Sequence, residues 1–351
     1  MSQQMNRKDQ HVALANEQYQ VQAMSDFDQV RFVHQSLPQI DLADVSLKTR
    51  FAGLDLDYPF YINGMTGGSE KTAIINQQLA EVAKATGIAM ATGSVSAALK
   101  HPETAASYQI VREVNPDGLV FANLGAEHSV ENGKKAVALL KADAIQIHVN
   151  APQEMIMPEG SREFSTWLDS IKAMVEGVGV PVIVKEVGFG MSRDTISQLS
   201  SIGVKTIDIS GRGGTNFATI ENARRPEQEL DLLANWGQST AISLIEAYNF
   251  SMTHDILASG GIRNPLDMAK ALALGAKACG LSGQILELVQ KQGVEETIKI
   301  VNSWKDQLQT IMTLLGCRKV SDLKQTDLVL TGSVKDWCDV RDLNYRKFAN
   351  R

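Results

Sequence analysis

Four polar residues that stand close together in the sequence could hold an anion together with a divalent cation. His148, Asn150 and Gln153 can each donate a hydrogen bond to a phosphate-sized anion. Glu154 offers the hard oxygen ligand that Mg²⁺ prefers. The alternative is a hydrogen-bonded strand end followed by an exposed Glu, since most polar residues at such places are structural.

The stretch that carries these residues has the pattern of a strand. From Ala144 to Val149, aliphatic side chains alternate with polar ones at a period of two. Pro152 then breaks the run, which predicts that Gln153 and Glu154 lie on a loop. That loop would stand at the carboxyl end of the strand, the edge where parallel α/β folds carry their chemistry.

Glycine pairs near the end of the chain have the composition of a phosphate site. Gly260-Gly261 and Ser282-Gly283 each follow an apolar run and are predicted to open a helix, whose first amide groups have no internal partner. Glycine allows close backbone approach, and Arg263 adds charge. We predict a phosphate-binding site here, with Gly213-Gly214 as part of the same site. The alternative is that these glycines only allow tight turns.

Other predicted strand ends carry groups suited to the edge of a flat ring such as a flavin. Met65-Thr66-Gly67, Ser94 and Asn123 offer main-chain and side-chain partners, with Gln146 or His148 as further candidates. Lys185 could place positive charge where a reduced flavin becomes anionic. A Schiff-base lysine is the alternative, although that chemistry would not need the amide-rich strand ends.

The elements that position these residues alternate between apolar strands and amphipathic helices from Tyr58 onward. Eight such units predict an α/β fold of the (β/α)₈ TIM-barrel type, with an N-terminal extension and a C-terminal tail. The predicted strands are Phe60–Asn63, Ile88–Thr92, Gly118–Asn123, Ala144–Val149, Val182–Glu186, Thr206–Ser210, Asp255–Ser259 and Ala278–Ser282. The predicted helices are Glu70–Thr86, Thr104–Val114, Glu127–Lys141, Ser165–Gly177, Ser192–Ser201, Thr240–Tyr248, Asn264–Leu274 and Gly283–Leu315.

The remaining segments give the predicted domain organisation. Residues 1–57 form an N-terminal arm with a short helix at His11–Gln20, and residues 58–318 form the barrel. Residues 319–351 form a tail that packs on the barrel or on a neighbouring subunit. Two loops, 150–164 and 211–239, exceed the usual length and are predicted to act as lids or subunit contacts.

Composition excludes several classes of protein. The 351 residues carry a net charge of -6, which argues against a protein that coats nucleic acid. The three cysteines form no C-x-x-C pair, so neither a disulfide framework nor a thiolate zinc site is expected. With no apolar signal region and no membrane-length apolar run, we expect a cytoplasmic protein without a membrane partner.

Taken together, seven separated motifs resemble type 2 isopentenyl-diphosphate isomerase, the flavin-dependent form. The match runs from Arg7 to past Gly283, nearly the whole chain, which makes it specific although each glycine-rich piece alone is weak. The motifs are Arg7-Lys8-x-x-His11, Asn63-Gly64-Met65-Thr66-Gly67-Gly68, Ala122-Asn123-Leu124-Gly125, Gln146-Ile147-His148-Val149-Asn150-x-x-Gln153-Glu154, Val184-Lys185-Glu186-Val187-Gly188, Gly213-Gly214-Thr215 and Ser259-Gly260-Gly261-Ile262-Arg263.

The resemblance implies a barrel that interconverts isopentenyl and dimethylallyl diphosphate with Mg²⁺ and with FMN that NADPH keeps reduced. It also implies a homo-oligomer, a tetramer or an octamer. The implied flavin contacts are Met65, Thr66, Gly67, Ser94, Asn123, Lys185, Ser210, Thr215, Gly260, Gly261, Arg263, Ser282 and Gly283. The implied substrate contacts are Arg7, Lys8, His148, Asn150 and Gln153, with Gln153, His148 and Lys185 as catalytic candidates and Glu154 as the magnesium ligand.

The main competing hypothesis is another FMN barrel, one that oxidises a 2-hydroxy acid or a dihydroorotate-type substrate. Such an enzyme should place a His base or paired Arg residues near the flavin, late in the barrel. Here His254 precedes its predicted strand, at the wrong end, and Arg263 alone is well placed. A non-catalytic barrel is a further alternative, in which Glu154 and Lys185 would be dispensable.

Overall fold

The computed structural model describes residues 3–18 and 25–351 of the chain. Its strands are β1 (Val30–Phe32), β2 (Thr49–Phe51), β3 (Leu54–Leu56), β4 (Phe60–Ile62), β5 (Met90–Ala91), β6 (Val120–Gly125), β7 (Ala144–Val149), β8 (Val182–Glu186), β9 (Thr206–Asp208), β10 (Asp255–Ser259), β11 (Ala278–Leu281) and β12 (Leu328–Leu330). Its helices are α1 (Gln3–Gln18), α2 (Glu70–Thr86), α3 (Ser96–Lys100), α4 (Ala106–Val114), α5 (Val130–Leu140), α6 (Ala151–Ile156), α7 (Trp167–Gly177), α8 (Arg193–Ser201), α9 (Phe217–Ala223), α10 (Thr240–Ala247), α11 (Pro265–Ala273), α12 (Gly283–Leu314) and α13 (Gly332–Val340).

Strands β4 to β11 close into one barrel in which every neighbouring pair is parallel. The period-two pattern explains the packing, because Ile145 and Ile147 of β7 are fully buried in the aliphatic layer between strands and helices. Gln146 and His148 take the opposite face, toward the barrel interior. The predicted (β/α)₈ barrel is confirmed.

The amino ends of the barrel strands are closed by an apolar plug. The hairpin β2–β3 brings the ring of Phe51 to 5.9 Å from that of Tyr61 and 6.0 Å from that of Phe121. The hairpin is fixed there because the Ala52 amide donates to Asp255 Oδ2 at 2.9 Å. The carboxyl ends of the strands are therefore the end that remains for a ligand.

Both terminal segments lie against the barrel. β1 pairs antiparallel with β12, with Val30 opposite Leu330. On the barrel helix α10, the buried Glu246 accepts hydrogen bonds from Trp337 Nε1 and Arg341 Nε of the tail, each at 2.9 Å. The division into arm, barrel and tail at residues 57 and 318 remains a prediction.

Pro152 lies at the start of a helix that begins at Ala151, so the predicted loop at Gln153 and Glu154 is wrong. It stands in the first turn of α6, where its missing N–H has no intrahelical acceptor to satisfy. Gln153 and Glu154 consequently lie on a helix, next to the strand end at Asn150. The second long loop, 211–239, likewise contains α9.

The glycine pair Gly260-Gly261 does not open a helix, contrary to the prediction. Helix α11 begins later, at Pro265, and the side chain of Asn264 caps it by accepting from the Asp267 amide at 3.0 Å. Helix α12 does begin at Gly283, as predicted. It is not one continuous helix, because Gly293 has a non-helical backbone with φ of 80°.

The N-terminal helix α1 is longer than the sequence predicted. It begins at Gln3 instead of His11, and the predicted end at Gln20 lies outside the described residues. The early turns are polar and carry no apolar period, which is why the sequence pattern did not indicate them. Among the side chains of residues 7–18, those of Val12 and Ala15 are buried. Within the described ranges, no helix combines the length and apolar character needed to cross a membrane.

Candidate active site

A cavity of about 740 Å³ opens at the carboxyl ends of the barrel strands. Its volume is in the range of cofactor and substrate sites. Helix α1 contributes Arg7, Lys8 and His11 to its wall. Seventeen of the predicted site residues line it: Arg7, Lys8, Met65, Ser94, Asn123, His148, Asn150, Gln153, Glu154, Lys185, Ser210, Thr215, Gly260, Gly261, Arg263, Ser282 and Gly283.

Two predicted flavin contacts, Thr66 and Gly67, are not on the cavity wall. The Thr66 hydroxyl is buried and hydrogen-bonds Asn76 of α2, so it points away from the barrel axis. Gly67 lies against the ring of Tyr108, where an added Cβ would come within 2.0 Å of the ring. Both residues shape the turn after β4, whereas Met65 faces the cavity.

The predicted phosphate corner is built from two glycine pairs that touch each other. A Cβ on Gly261, which has a φ of +69°, would lie 2.8 Å from the Gly213 Cα, and one on Gly214 would lie 3.0 Å from the Gly261 amide nitrogen. No residue larger than glycine fits this contact without displacing backbone. Beside it, α12 starts at Gly283, and the Ser282 side chain makes no capping hydrogen bond, so the first amides of α12 remain for an anion.

Arg263 lines this corner, and its guanidinium is already paired with two carboxylates. Nε lies 2.8 Å from Asp267 Oδ2, and Nη2 lies 2.5 Å from Asp28 Oδ1. The hydrogen bonds that Arg263 donates to Asp267 and Asp28 raise the pKa of Arg263 above its ordinary value. Arg263 therefore anchors the arm to the barrel as well as adding charge to the corner.

Lys185 of β8 is buried inside the barrel near two carboxylates. Its Nζ donates to the Glu186 carbonyl at 2.6 Å, and its register neighbour on β9 is Asp208. Burial lowers the pKa of Lys185, while Asp208 and Glu186 oppose that shift. Burial also raises the pKa of Glu186 to about 7, although three backbone amides that follow it donate to its carboxylate.

Gln153 and Glu154 are held in a polar cluster around a buried carboxylate on α9. Asn150 Nδ2 donates to Gln153 Oε1 at 3.1 Å and to Glu154 Oε1 at 3.0 Å. Gln153 Nε2 donates to Glu221 Oε1 at 2.7 Å. Arg224 also donates to Glu221, at 2.6 Å.

Glu221 is fully buried, and it also lies 2.9 Å from His11 Nε2 of α1. Burial acts to raise its pKa, but the interactions with His11, Gln153 and Arg224 outweigh burial and hold the pKa of Glu221 at about 2. A single ionised carboxylate thus connects helix α1 to Gln153.

The cations of α1 stand in a desolvated environment. Burial, with the neighbouring charge of Arg7, lowers the pKa of Lys8 to about 8, and Glu221 opposes this. Arg7 Nη1 lies 3.8 Å from Glu159 Oε1. Burial also lowers the pKa of His148 to about 4, so its imidazole is neutral near pH 7.

The residues present fit both FMN and Mg²⁺. The glycine contact and the uncapped start of α12 match a phosphate, and the strand ends offer polar partners to a ring. In the described part of the chain, no group of three or more His, Cys, Asp or Glu residues could cage a metal ion. A single carboxylate such as Glu154 would supply one oxygen ligand to Mg²⁺, an ion that keeps several waters in sites of this kind.

Two charged residues of the site were missed by sequence reasoning. Glu221 precedes Arg224 and Arg225 in a segment that has the composition of a solvated loop, and nothing local marks it as buried. Asp208 is different, because a carboxylate between Ile207 and Ile209 in an apolar strand is a recognisable signal for a buried polar partner.

Comparison with known proteins first defines the class. Residues 126–330 match the family model described as FMN-dependent dehydrogenase. A mandelate oxidase structure superposes with a TM-score of 0.63 at 17% identity, covering 92% of each chain. A flavocytochrome b2 structure gives a TM-score of 0.65 at 18% identity, covering 89% of this chain and 81% of the other. The fold is thus that of these (β/α)₈ barrels, and the family model places the chain among the FMN-dependent dehydrogenase-like proteins.

Closer relatives define the family within that class. The chain is 50% identical over 341 residues, 97% of both chains, to the isopentenyl-diphosphate delta-isomerase of Staphylococcus haemolyticus (strain JCSC1435). It is 51% identical over the same length, again 97% of both chains, to the protein of that name from Latilactobacillus sakei subsp. sakei (strain 23K). The chain belongs to the isopentenyl-diphosphate delta-isomerase family, in its FMN-dependent form.

Proposed function

We propose that the protein interconverts isopentenyl diphosphate and dimethylallyl diphosphate in isoprenoid biosynthesis, using reduced FMN and Mg²⁺. NADPH would supply the electrons that keep FMN reduced. One observation supports the proposal most strongly. A single cavity is lined both by the glycine pairs of the phosphate corner and by Arg7, Lys8 and Glu154. The names of the relatives at about half identity support the same reaction.

Moving the double bond requires a proton to be added at one carbon of an unactivated alkene and another to be removed. When bound, reduced FMN would supply an acid–base group and an electron-rich ring for this step, without net oxidation or reduction. Met65, Ser94, Asn123 and Ser210 would position the ring and its chain. Lys185 would place positive charge beside the ring.

The other cavity residues would bind the diphosphate and exclude water. Arg7 and Lys8 would donate charged hydrogen bonds to it, together with Asn150, and Glu154 would hold the Mg²⁺ that neutralises it. Because α1 forms part of the cavity wall, this helix would cover the bound anion. A covered site protects a carbocation-like state from water.

Gln153 would orient the reacting chain, and Glu221 would hold Gln153. We expect Glu221→Gln to lower kcat by roughly 10-fold to 100-fold while FMN stays bound. Glu221 accepts from Gln153 on Oε1 and from Arg224 on Oε2, whereas an amide offers one acceptor oxygen. Steady-state kinetics and flavin absorbance check this. An unchanged kcat would show that Gln153 needs no such support; Glu227→Gln, an exposed acid of the same segment, is the matched control.

The affinity for the diphosphate is expected to fall as pH rises above about 8. The pKa of Lys8 is lowered to about 8, so the ammonium is charged below that pH and loses its proton above it. KM for isopentenyl diphosphate should therefore rise on the alkaline side. Lys8→Arg should abolish this rise, since arginine stays charged. If KM still rises at alkaline pH in Lys8→Arg, the rise is caused by the titration of another group.

The competing function is oxidation of a 2-hydroxy acid, which the names of the structural neighbours suggest. The structure places His254 before β10, bonded to Thr253, and away from the cavity. We therefore expect lactate or mandelate to leave the flavin oxidised under anaerobic conditions, while isopentenyl diphosphate is converted when FMN, Mg²⁺ and NADPH are present. Reduction of the flavin by a hydroxy acid, without isomerisation, would favour the oxidase.

The proposal includes the assembly and location expected from the sequence, a homo-oligomer in the cytoplasm. Support for self-association comes from the segment between β9 and α10, where Leu232 is 79% exposed and Trp236 is 60% exposed. Large apolar side chains grouped in this way are common at subunit contacts.

A further inference from the structure

A chain of hydrogen bonds crosses the barrel interior beneath the cavity. Asn63 Nδ2 donates to Asp208 Oδ2 at 2.9 Å, and Gln146 Nε2 donates to Asn63 Oδ1 at 2.9 Å. Asn123 Nδ2 donates to Gln146 Oε1 at 3.1 Å, and His148 Nδ1 lies 2.9 Å from Asn123 Oδ1. The three amides and Asp208 are at most 5% exposed, so water does not substitute for these partners.

The direction of the chain is fixed at its inner end. Asp208 accepts from Asn63, and also from the Tyr61 hydroxyl at 3.2 Å, the Ser259 hydroxyl at 2.8 Å and the Ser210 amide at 3.2 Å. An acceptor surrounded by donors requires the NH₂ group of Asn63 to face it. The amide of Gly64 fixes Asn63 a second time, because it donates to Asn63 Oδ1 at 3.0 Å.

This direction passes from one amide to the next. Because the oxygen of Asn63 faces Gln146, Gln146 must present its NH₂ group to Asn63. The oxygen of Gln146 then faces Asn123. Asn123 then presents its NH₂ to Gln146 and its oxygen to His148. An oxygen that faces Nδ1 requires a proton on Nδ1, which selects one of the two neutral tautomers of His148.

We propose that Asp208, acting through Asn63, Gln146 and Asn123, holds His148 in the Nδ1–H tautomer, so that His148 meets its ligand as a hydrogen-bond acceptor at Nε2. His148 lines the cavity, and Nε2 is the ring nitrogen left for a ligand. Burial keeps the imidazole neutral near pH 7, because it lowers the pKa of His148 to about 4. Asp208 is a positioning residue in this arrangement.

The tautomer selects the kind of ligand group that His148 contacts. A diphosphate with Mg²⁺ offers acceptors, which a bare Nε2 cannot bind. A flavin ring offers one fixed donor in its oxidised form, the imide N–H between its two carbonyl groups. His148 is therefore matched to the flavin and not to the diphosphate, which departs from the sequence prediction of a substrate contact. This choice of ligand rests on the proposed function; the tautomer does not.

The test is the ¹⁵N spectrum of the imidazole rings in histidine-labelled protein without flavin. The chain has six histidines, and His148→Gln identifies the signals of His148. The expected result is a protonated Nδ1 and an unprotonated Nε2 across neutral pH. In Asp208→Asn the inner end can donate as well as accept, but the Gly64 amide still favours the same orientation of Asn63. The Nε2 signal should therefore move only part of the way toward the protonated value. A protonated Nε2 in the unmodified protein would overturn the inference.

Two further variants separate the chain from general disturbance of the barrel interior. Gln146→Met breaks the chain without touching Asp208 and should shift the Nε2 signal even if Asp208→Asn fails to fold. Tyr61→Phe removes another hydrogen bond to Asp208 but leaves the chain, and should not shift it. An unshifted Nε2 signal in Gln146→Met would overturn the inference.

The ligand is tested by adding FMN to the flavin-free protein, and separately inorganic diphosphate with Mg²⁺. FMN should move the Nε2 signal in the direction of hydrogen-bond acceptance, and diphosphate with Mg²⁺ should not. Bound FMN with an unmoved signal, or a shift caused by diphosphate alone, would overturn the flavin contact. If FMN does not bind, the proposed function fails, while the tautomer in the flavin-free protein still decides the role of Asp208.

Discussion

Glu154→Gln is expected to remove magnesium-dependent isomerisation while FMN stays bound. Glu154 Oε1 accepts from Asn150 at 3.0 Å and Oε2 accepts from the Ser161 amide at 2.7 Å, so the side chain is held in place. Gln keeps its size but removes the charged oxygen that Mg²⁺ prefers. Loss of several kcal/mol of charge neutralisation corresponds to a fall in kcat/KM of roughly 10²-fold to 10³-fold.

The measurement is kcat/KM over a range of Mg²⁺ concentrations, with flavin content determined by absorbance. Glu163→Gln is the matched control, because Glu163 is an exposed acid a few residues along the same segment. If Glu154→Gln kept its activity and its Mg²⁺ dependence, Glu154 would not be the metal ligand. If FMN were lost as well, the variant would have disturbed the cavity and not the metal alone.

Gly261→Ala is expected to abolish FMN binding. The new Cβ would lie 2.8 Å from Gly213 Cα and 2.9 Å from the Gly213 carbonyl carbon, and the φ of +69° is strained for alanine. The backbone segments of the two glycine pairs must then move apart. Both segments would lose their contacts with the phosphate. Affinity for FMN should fall by at least about 10²-fold, which corresponds to about 2.7 kcal/mol of binding free energy.

The control for Gly261→Ala is Gly179→Ala. Gly179 also has a positive φ, +88°, but a Cβ there meets nothing within 4 Å, and it precedes β8 at the opposite end of the barrel. This variant carries the backbone strain without the collision, so it should lose some stability and keep FMN. Titration of flavin-free protein with FMN, followed by flavin fluorescence, compares the two. Equal FMN affinity in both variants would show that the contact between the glycine pairs does not form the phosphate site.

The barrel was predictable from sequence because its signals are local. The strands at Ala144–Val149 and Val182–Glu186 were predicted at their observed ends, since each is an aliphatic run between clear breaks. Pro152 was misjudged for an equally physical reason. Proline disrupts a helix when it lies in the interior, but it is tolerated in the first turn. The residues next to Pro152 do not show which of these two positions it occupies.

The candidate site was predictable wherever it depends on position along a strand. His148, Lys185 and Asn123 follow from the alternation of strand faces, and all three line the cavity. Thr66 and Glu221 were not predictable, because their orientations depend on contacts with other elements of the fold. The hydroxyl of Thr66 is held by α2, and Glu221 is held by His11, more than two hundred positions earlier in the chain.

Isomerisation without net redox turnover of the flavin is tested by counting the molecules of product and of NADPH. Purified protein is incubated anaerobically with isopentenyl diphosphate, FMN, Mg²⁺ and NADPH, and the dimethylallyl diphosphate formed is compared with the NADPH consumed. We expect the product to exceed the NADPH consumed many times over, because one reduction of the flavin serves many turnovers. Product that forms only in step with NADPH consumption, or no product at all, would contradict it.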